Sequence, residues 1–518
     1  MGNIYTKEIS NFGGMTSEIR SKTNECALCL HFDLYRNRTL APNRTYTAIT
    51  DGSEKITRFL YAKQGSATNY AIYGMGDALG ASGGVSGYPA VYYKTPTATV
   101  WTDGVALAQG SLNNSVFVLY KDCFFGWQAN GVSSTLRYLW KVSGLASSLS
   151  ADDTFFDATA VTNVAQPVHH KADDYLYIFH DNIVRRLTDA STVSGVLLTL
   201  PSNLKIMGGG NYGNYLLIVA SPIQQGTSNS VIFIWDRDSS LTTVSGKIDL
   251  GPGVVTYVSE AEDGGVWIVQ ENASQVLGFG AFNNAINVKY FNGSLQTLTI
   301  PNGTENEYFS QIRTIGSTYL PIGNAVESGG VFYFPAEIVT RLASESRDVI
   351  FAVRRTSNGL ELIADQEITA AGGTGFYLNG IFEIGNHWLV SYTNGSGTIL
   401  TEQTVTGSTY QTSVYETLIF TGDKRAVTKK LFGVSLFCSP LPSGGTMVLK
   451  YRADAETSWT TIFTDSTAND LYHSATNIES TGVTLPEFKE IQFRIESTGG
   501  TEITGFKFAF EEITNDIY

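Results

Sequence analysis

Pairs of short apolar runs return along this chain at intervals of about 40 to 65 residues, each pair set behind a polar or glycine turn. Tyr70–Tyr73 is followed by Val91–Tyr93, Val116–Tyr120 by Tyr138–Trp140, Tyr175–Phe179 by Ile183–Val184, and Tyr215–Val219 by Val231–Trp235. Val266–Val269 leads to Val276–Phe279, Val331–Phe334 to Val349–Val353, and Trp388–Val390 to Thr398–Leu400. A lone pair of strands is marginal in water, so a pattern recurring about seven times calls for units that pack on one another. The interval is that of β-propeller blades. No WD or kelch signature repeats, so the spacing carries the reading.

Composition agrees with strands. The 518 residues are 42% hydrophobic and 12% aromatic, enough to fill a core, and include 52 glycines for turns. Only 16% are charged, against roughly 25% in an average soluble domain. β-Branched and aromatic residues dominate the apolar runs, and no amphipathic helical period stands out. The net charge of -14 argues against tight nucleic-acid binding, which needs clustered Lys and Arg to displace counterions. The nearest basic cluster, Lys424, Arg425, Lys429 and Lys430, is small. No stretch approaches the roughly 18 apolar residues of a membrane span, and Met1–Glu8 has no secretory apolar core.

Three regions follow. Residues 1–50 are unlike the repeats and read as an arm, able to close the ring with a strand or to reach a neighbouring subunit; an open ring would expose strand edges. Residues 51–407 carry the repeats. From 408 the pattern changes to Leu431–Phe437, Met447–Tyr451, Trp459–Phe463, Ile491–Ile495 and Phe506–Phe510, alternating runs between turns that fit a β-sandwich. In the fourth of these, Ile491, Phe493 and Ile495 share one face, with Gln492 and Arg494 on the other. The expected fold is therefore all-β: a propeller of about seven blades with an N-terminal arm and a C-terminal β-sandwich.

Chemistry-bearing residues are sparse. Cys26 and Cys29 form a single C-x-x-C without the second pair of a structural zinc site. Reading Cys26–Asp33 as one alternating strand puts the two thiols on opposite faces. The densest polar cluster is His169-His170-Lys171-Ala172-Asp173-Asp174, with His180 and Asp181 one strand later. Imidazole beside carboxylate suits a metal or proton transfer. Adjacent histidines in a strand face opposite ways, however, and Asp173-Asp174 fills a turn, so loop polarity is the favoured reading. The run Gly208–Gly213 lacks a P-loop lysine and reads as a β-turn. Glu262, Asp263, Asp236 and Asp238 are turn carboxylates that the sequence cannot pair across a pocket. Asp454–Trp459 is an imperfect Asp box, without its glycine. Trp101, Trp127 and Trp235 are of the type that stacks on sugars but sit at strand positions. No catalytic, cofactor-binding or metal-binding residue is assigned, no cofactor is implied, and the chain is expected not to be an enzyme.

Ile9–Met15, Cys29–Asp33 and Leu40–Arg44 resemble the N-terminal region of tailed-bacteriophage tail proteins, where a glycine-rich start precedes an "hFD" strand and an "L-x-P" turn. Val231–Asp236, Ile248–Gly253 and Lys450–Trp459 leading to Phe488–Arg494 are similar in texture to phage virion propellers. The resemblance implies a structural virion protein of the tail or neck, of the nozzle or packaged-DNA-stabilisation type or a related tail-associated kind. It implies a homo-oligomeric ring around the DNA channel, docked to other tail or neck proteins and assembled in the host cytoplasm. Genomic DNA would pass without specific binding, since an acidic wall offers phosphates no counter-charge. The alternative is a carbohydrate-binding or glycan-cleaving propeller with an appended β-sandwich.

Overall fold

The structure is a computed structural model. It describes residues 4–10, 12–13, 15, 26–30, 32–33, 39–49, 56, 58–63, 70–77, 89–107, 116–129, 137–145, 148–158, 161–222, 229–238, 240, 243–274, 283–300, 311–314, 325–339, 346–357, 359–368, 377–384, 387–393, 399–404, 409–422, 425–454, 456–476 and 485–513. It is all-β, with no α-helix among the described residues.

Among the described residues, seven sets of antiparallel strands follow one another, the first five of them simple meanders. The first is Arg58–Lys63, Tyr70–Asp77, Pro89–Lys94 and Thr102–Ala106. The second is Val116–Tyr120, Cys123–Ala129, Arg137–Ser143 and Ser150–Ala158. The third is Val164–His170, Tyr175–His180, Ile183–Leu187 and Leu198–Thr199. The fourth is Leu204–Tyr212, Tyr215–Pro222, Asn229–Trp235 and Gly246–Pro252, and the fifth Val254–Glu260, Val266–Ser274, Asn283–Phe291 and Leu295–Ile300. In the sixth, Gln311–Thr314 and Val326–Ser328 share the partner Val331–Val339, which continues to Ser346–Thr356 and Gly359–Ile368. The seventh has Tyr377–Ile384, His387–Thr393 and Ile399–Thr404, and its fourth strand is Tyr46–Ala48 from far upstream, antiparallel to Ile399–Thr404.

The packing between sets explains the alternation of apolar residues. Every set buries its two faces against its two neighbours, so each interface has its own core. Tyr73, Met75 and Val91 of the first set meet Phe124, Trp140 and Val142 of the second. Trp127 and Leu139 of the second meet Leu176 and Ile178 of the third. Tyr177 and Phe179 meet Ile218 and Trp235; Leu217 and Ile232 meet Ile268 and Val266; Trp267 and Val288 meet Phe332 and Phe351. Ile350 meets Trp388 and Val390. The series returns on itself, because Phe382 and Leu389 of the seventh set pack on Phe59, Ile72 and Trp101 of the first. Each large side chain buried this way contributes about 1.5–3 kcal/mol relative to exposure.

Most of the remaining strands lie in two sheets around one core, and Phe32–Asp33 pairs separately with Ala41–Pro42. Ile4–Ile9, Ile503–Glu512, Lys429–Cys438 and Tyr472–Thr476 lie side by side, with Glu487–Phe488 also on Lys429–Cys438. Facing them, Cys26–Leu30, Ser413–Thr417, Ile491–Thr498, Thr446–Ala453 and Thr460–Asp465 make a second sheet. Between them lie Leu431, Leu436, Leu449, Phe493, Ile495, Phe506 and Phe508. Ile491, Phe493 and Ile495 face this core, as their alternation requires. The second sheet joins the sixth set directly, since Leu30 pairs in parallel with Ala364.

Two local readings are corrected. Gly208, Gly209 and Gly210 lie within Leu204–Tyr212, not in a turn, which comes only at Gly213. A Cβ on Gly208 would sit 2.7 Å from Val258 Cβ, and one on Gly210 2.5 Å from the Gly265 carbonyl oxygen. The run therefore lets the fourth and fifth sets approach closely. Cys26 and Cys29 do not point apart: the register shifts between Cys26 and Leu28, and both thiols enter the same core while Leu28 and Leu30 enter another. A β-bulge of this kind inverts the alternation.

Gly210→Ala is expected to cost about 1–3 kcal/mol, because the opposing atom is backbone and cannot step aside. Gly195→Ala, with nothing within 4 Å, should be close to neutral. Urea unfolding of the two variants beside the parent checks this.

Candidate functional site

The hairpin of the third set carries the polar cluster singled out in the sequence. Val164–His170 and Tyr175–His180 are joined by Lys171–Asp174, where Asp174 has a φ of 57° and its N–H donates to the His170 carbonyl at 3.0 Å. The strand sends the two imidazoles to opposite sides, and each finds one of the two aspartates. His169 Nε2 lies 2.8 Å from Asp174 Oδ1, and Lys121 Nζ 3.2 Å from Asp174 Oδ2. The Tyr120 hydroxyl donates to the Asp174 carbonyl at 2.7 Å, and its ring meets His169 edge-on.

The other side is buried. His170 Nε2 lies 3.2 Å from the Tyr215 carbonyl, which only accepts, so that nitrogen carries the proton. Nδ1 lies between Arg237 Nη1, a donor at 3.3 Å, and Asp173 Oδ1, an acceptor at 3.2 Å. Burial, followed by the Arg237 charge, lowers the His170 pKa, with the Asp173 carboxylate acting in the opposite direction. Asp173 is the hub: it accepts from the Tyr177 hydroxyl at 2.8 Å, the Tyr175 N–H at 3.2 Å and the Arg237 guanidinium. Burial alone would raise its pKa, but the hydrogen bonds from Tyr177 and Arg237 outweigh it and hold the carboxyl below its ordinary value. Arg237 occupies the left-handed region at φ 67° and also donates to the Asn214 carbonyl at 2.8 Å. Aspartates flank it, with Asp236 accepting from the Asp238 N–H and Asp238 from the Ser240 N–H.

These contacts run from set to set. Asn211 of the fourth set accepts from the Lys171 N–H at 3.0 Å and donates to the His169 carbonyl at 3.0 Å and to Glu260 of the fifth at 2.6 Å. Glu327 of the sixth accepts from the Glu262 N–H at 2.6 Å, and burial raises its pKa. Arg355 of the sixth pairs with Asp263 at 2.5 Å and lies over the Tyr290 ring at 4.3 Å. The cluster is one stretch of a polar seam crossing the second to sixth sets along one edge.

His180 and Asp181 do not join it. The strand between places them roughly 20 Å away at the opposite edge. There Asp181 accepts from Thr162 Oγ1 at 2.8 Å and pairs with Lys205 of the fourth set. His180 is buried with its pKa pushed down to about 4, first by burial and then by Arg185. Among the described residues no group of three or more His, Cys, Asp or Glu is arranged to hold a metal ion. Trp101, Trp127 and Trp235 are core residues and offer no sugar platform. Trp459 lies partly exposed against the guanidinium groups of Arg452 and Arg494.

A further polar group lies where the seventh set meets the first. Lys94 is buried, its ammonium donating to Ala98 O at 2.5 Å and Gln403 Oε1 at 2.9 Å. Nearby on the seventh set, Tyr46 donates to Gln366, and Asn43 to the Asp365 carbonyl at 2.8 Å. Sequence reasoning missed Lys94, Asn211, Arg237 and Glu260. Each works with partners distant in the chain, and none stands in a recognisable motif.

No family model matches the chain, and no curated protein does. Among solved structures, one titled a glycoside hydrolase matches at 12% identity over 89% of this chain and 100% of that one, with a TM-score of 0.29. An exo-β-1,3-galactanase from Phanerochaete chrysosporium matches at 9% identity over 97% and 100%, TM-score 0.30. A putative oxidoreductase (glucose dehydrogenase) from Thermus thermophilus matches at 10% identity over 70% and 100%, TM-score 0.34. The expectation that the chain is not an enzyme is corrected by these matches, which are with enzymes. Likeness at this level assigns no reaction or ligand.

Asp173→Asn removes the charge that compensates Arg237 and should destabilise the chain by about 3 kcal/mol in urea unfolding. Burial pushes the Lys94 pKa from 10.5 down to about 8. Between those values the unfolded chain holds a proton that the folded chain has shed, so stability rises with pH through that window and is lost as pH falls through it. Lys94→Met should flatten this rise relative to the parent, as read by unfolding at pH 7.5, 9 and 10.5, with tyrosine ionisation common to both.

Proposed function

We propose that the chain is a structural scaffold: a seven-bladed β-propeller, residues 51–407, with its ring closed by a strand from the 1–50 arm and a β-sandwich formed with residues 408–518. The propeller reading is supported by the seven inter-sheet cores that return to the first set and by the pairing of Tyr46–Ala48 with Ile399–Thr404. The sandwich reading is supported by two sheets enclosing a phenylalanine-rich core.

The observation that carries the scaffold role is the threading of the N-terminal region. Ile4–Ile9 pairs with Ile503–Glu512, Cys26–Leu30 bridges Ser413–Thr417 and the sixth set, and Tyr46–Ala48 enters the seventh. Both modules are locked to one another through backbone hydrogen bonds, which suits a part that must bear load within an assembly. With the sequence resemblance, the reading is a virion component of a tailed phage, part of the tail or neck, forming a ring of copies with neighbouring tail proteins docked on it. Low charge density keeps the desolvation cost of such contacts small. Electron microscopy of the purified chain and of particles tests it. A ring-shaped oligomer with the chain labelled at the tail or neck is expected; a monomer at every concentration and absence from particles would overturn it.

A second reading, a glycan-binding or glycan-cleaving propeller with a β-sandwich, is favoured by one observation: Phe437 and Tyr472 stand exposed side by side on the outer face of the terminal sheet.

A further inference from the structure

We infer that the outer face of the sheet formed by Ile4–Ile9, Ile503–Glu512, Lys429–Cys438 and Tyr472–Thr476 binds a neutral oligosaccharide across Phe437 and Tyr472. This rests on the second reading above and adds to it the site and the ligand class.

Tyr5, Tyr70, Tyr215 and Phe432 are exposed too, but among the described residues Phe437 and Tyr472 are both exposed and paired with one another. Phe437 and Tyr472 are direct cross-strand partners, and the Cys438 N–H donates to the Leu471 carbonyl at 2.9 Å beside them. Their rings are 6.2 Å apart, inclined by 32°. Tyr472 is 60% exposed, Leu471 56% and Phe437 36%. The neighbours on the same face are small or hydrophilic. Ser435 and Ser474 face each other one step along, Gly505 lies opposite Phe437, and Lys507 lies between Ser435 and Glu8. A Cβ on Gly505 would meet the Phe437 ring at 3.5 Å, so the glycine leaves that ring uncovered on its flank.

Size decides between occupants. At roughly 200 Å² per side chain, these exposures amount to on the order of 300 Å² of apolar surface. A stable protein interface covers roughly 800 Å² on each partner. The rings are instead bordered by the Ser435 and Ser474 hydroxyls and, farther along, by the cross-strand partners Lys507 and Glu8, an apolar floor with polar groups at its rim. A pyranose has the complementary form. Its axial C–H groups carry partial positive charge and settle on the negative face of an aromatic ring, while its hydroxyls reach sideways to donors and acceptors. Two adjacent rings suit successive sugars of a chain, and a neutral ligand suits a face whose charges, Lys507 and Glu8, oppose each other.

The test is calorimetric titration of the full chain with cello-, malto-, laminari- and galacto-pentaose. Binding of at least one is expected, weakened about tenfold or more by Tyr472→Ala and by Phe437→Ala and retained in Tyr472→Trp. Tyr215→Ala, at an exposed tyrosine of the fourth set, should leave it unchanged. Thermal melts of each variant confirm folding. Binding of none of the four would overturn the proposal. Binding indifferent to both alanine variants would overturn this site while leaving the second reading standing. Self-association that Tyr472→Ala abolishes, with no sugar bound, would assign the patch to contact between copies and overturn it also. The scaffold reading is judged separately, by microscopy.

Discussion

An unpaired strand edge in water is a template for wrong pairing, and a circle of sheets has one wherever its last sheet is short of a strand. In this chain the backbone hydrogen bonds of Tyr46–Ala48 with Ile399–Thr404 satisfy that edge. The core of Phe382, Leu389, Phe59 and Trp101 lies at the same junction and takes in Ile49, the residue that follows the incoming strand. Lys94 and Gln403 hydrogen-bond across it, and Asn43 and Tyr46 fasten the incoming strand to the sixth set. The remaining interfaces are repeats of one simpler arrangement, apolar face on apolar face, with ion pairs along the edges.

Those edge pairs put the candidate site in proportion. His169, His170, Asp173 and Asp174 have the residue types of a metal or proton-transfer centre, yet each meets a residue of an adjoining sheet: Tyr120, Tyr215, Arg237 and Lys121 in turn. Asp173 gathers Tyr177, Arg237 and His170 around one carboxylate, and the Tyr215 carbonyl holds the far side of the His170 ring. The seam orders the turns of five successive sheets relative to one another, which apolar packing alone does less specifically.

What the sequence disclosed was whatever depends on near neighbours. Alternation in Ile491–Ile495, the strand pairs at regular spacing, and the opposed directions of His169 and His170 follow from a two-residue period, and the structure has them. Features that depend on distant partners were hidden. The bulge that turns Cys26 into the same core as Cys29 is set by pairing with Ser413–Thr417. The glycines at 208–210 look like a turn until Val258 and the Gly265 carbonyl are seen against them. Arg237 and Asn211 stand in stretches that read as turns, and their partners lie in other sheets. The Phe437–Tyr472 pair escaped for the opposite reason: an aromatic residue in a strand is usually core, and only the fold shows which face of the sheet is left open.

The threading of the first fifty residues also sets the order of events during synthesis. Thr45 meets Thr409 across 364 positions, so the N-terminal segment leaves the ribosome long before the strand it must join. Contacts of such separation form late and slowly. Until then Ile399–Thr404 keeps the edge that Tyr46–Ala48 will cover, and the seventh set stays one strand short.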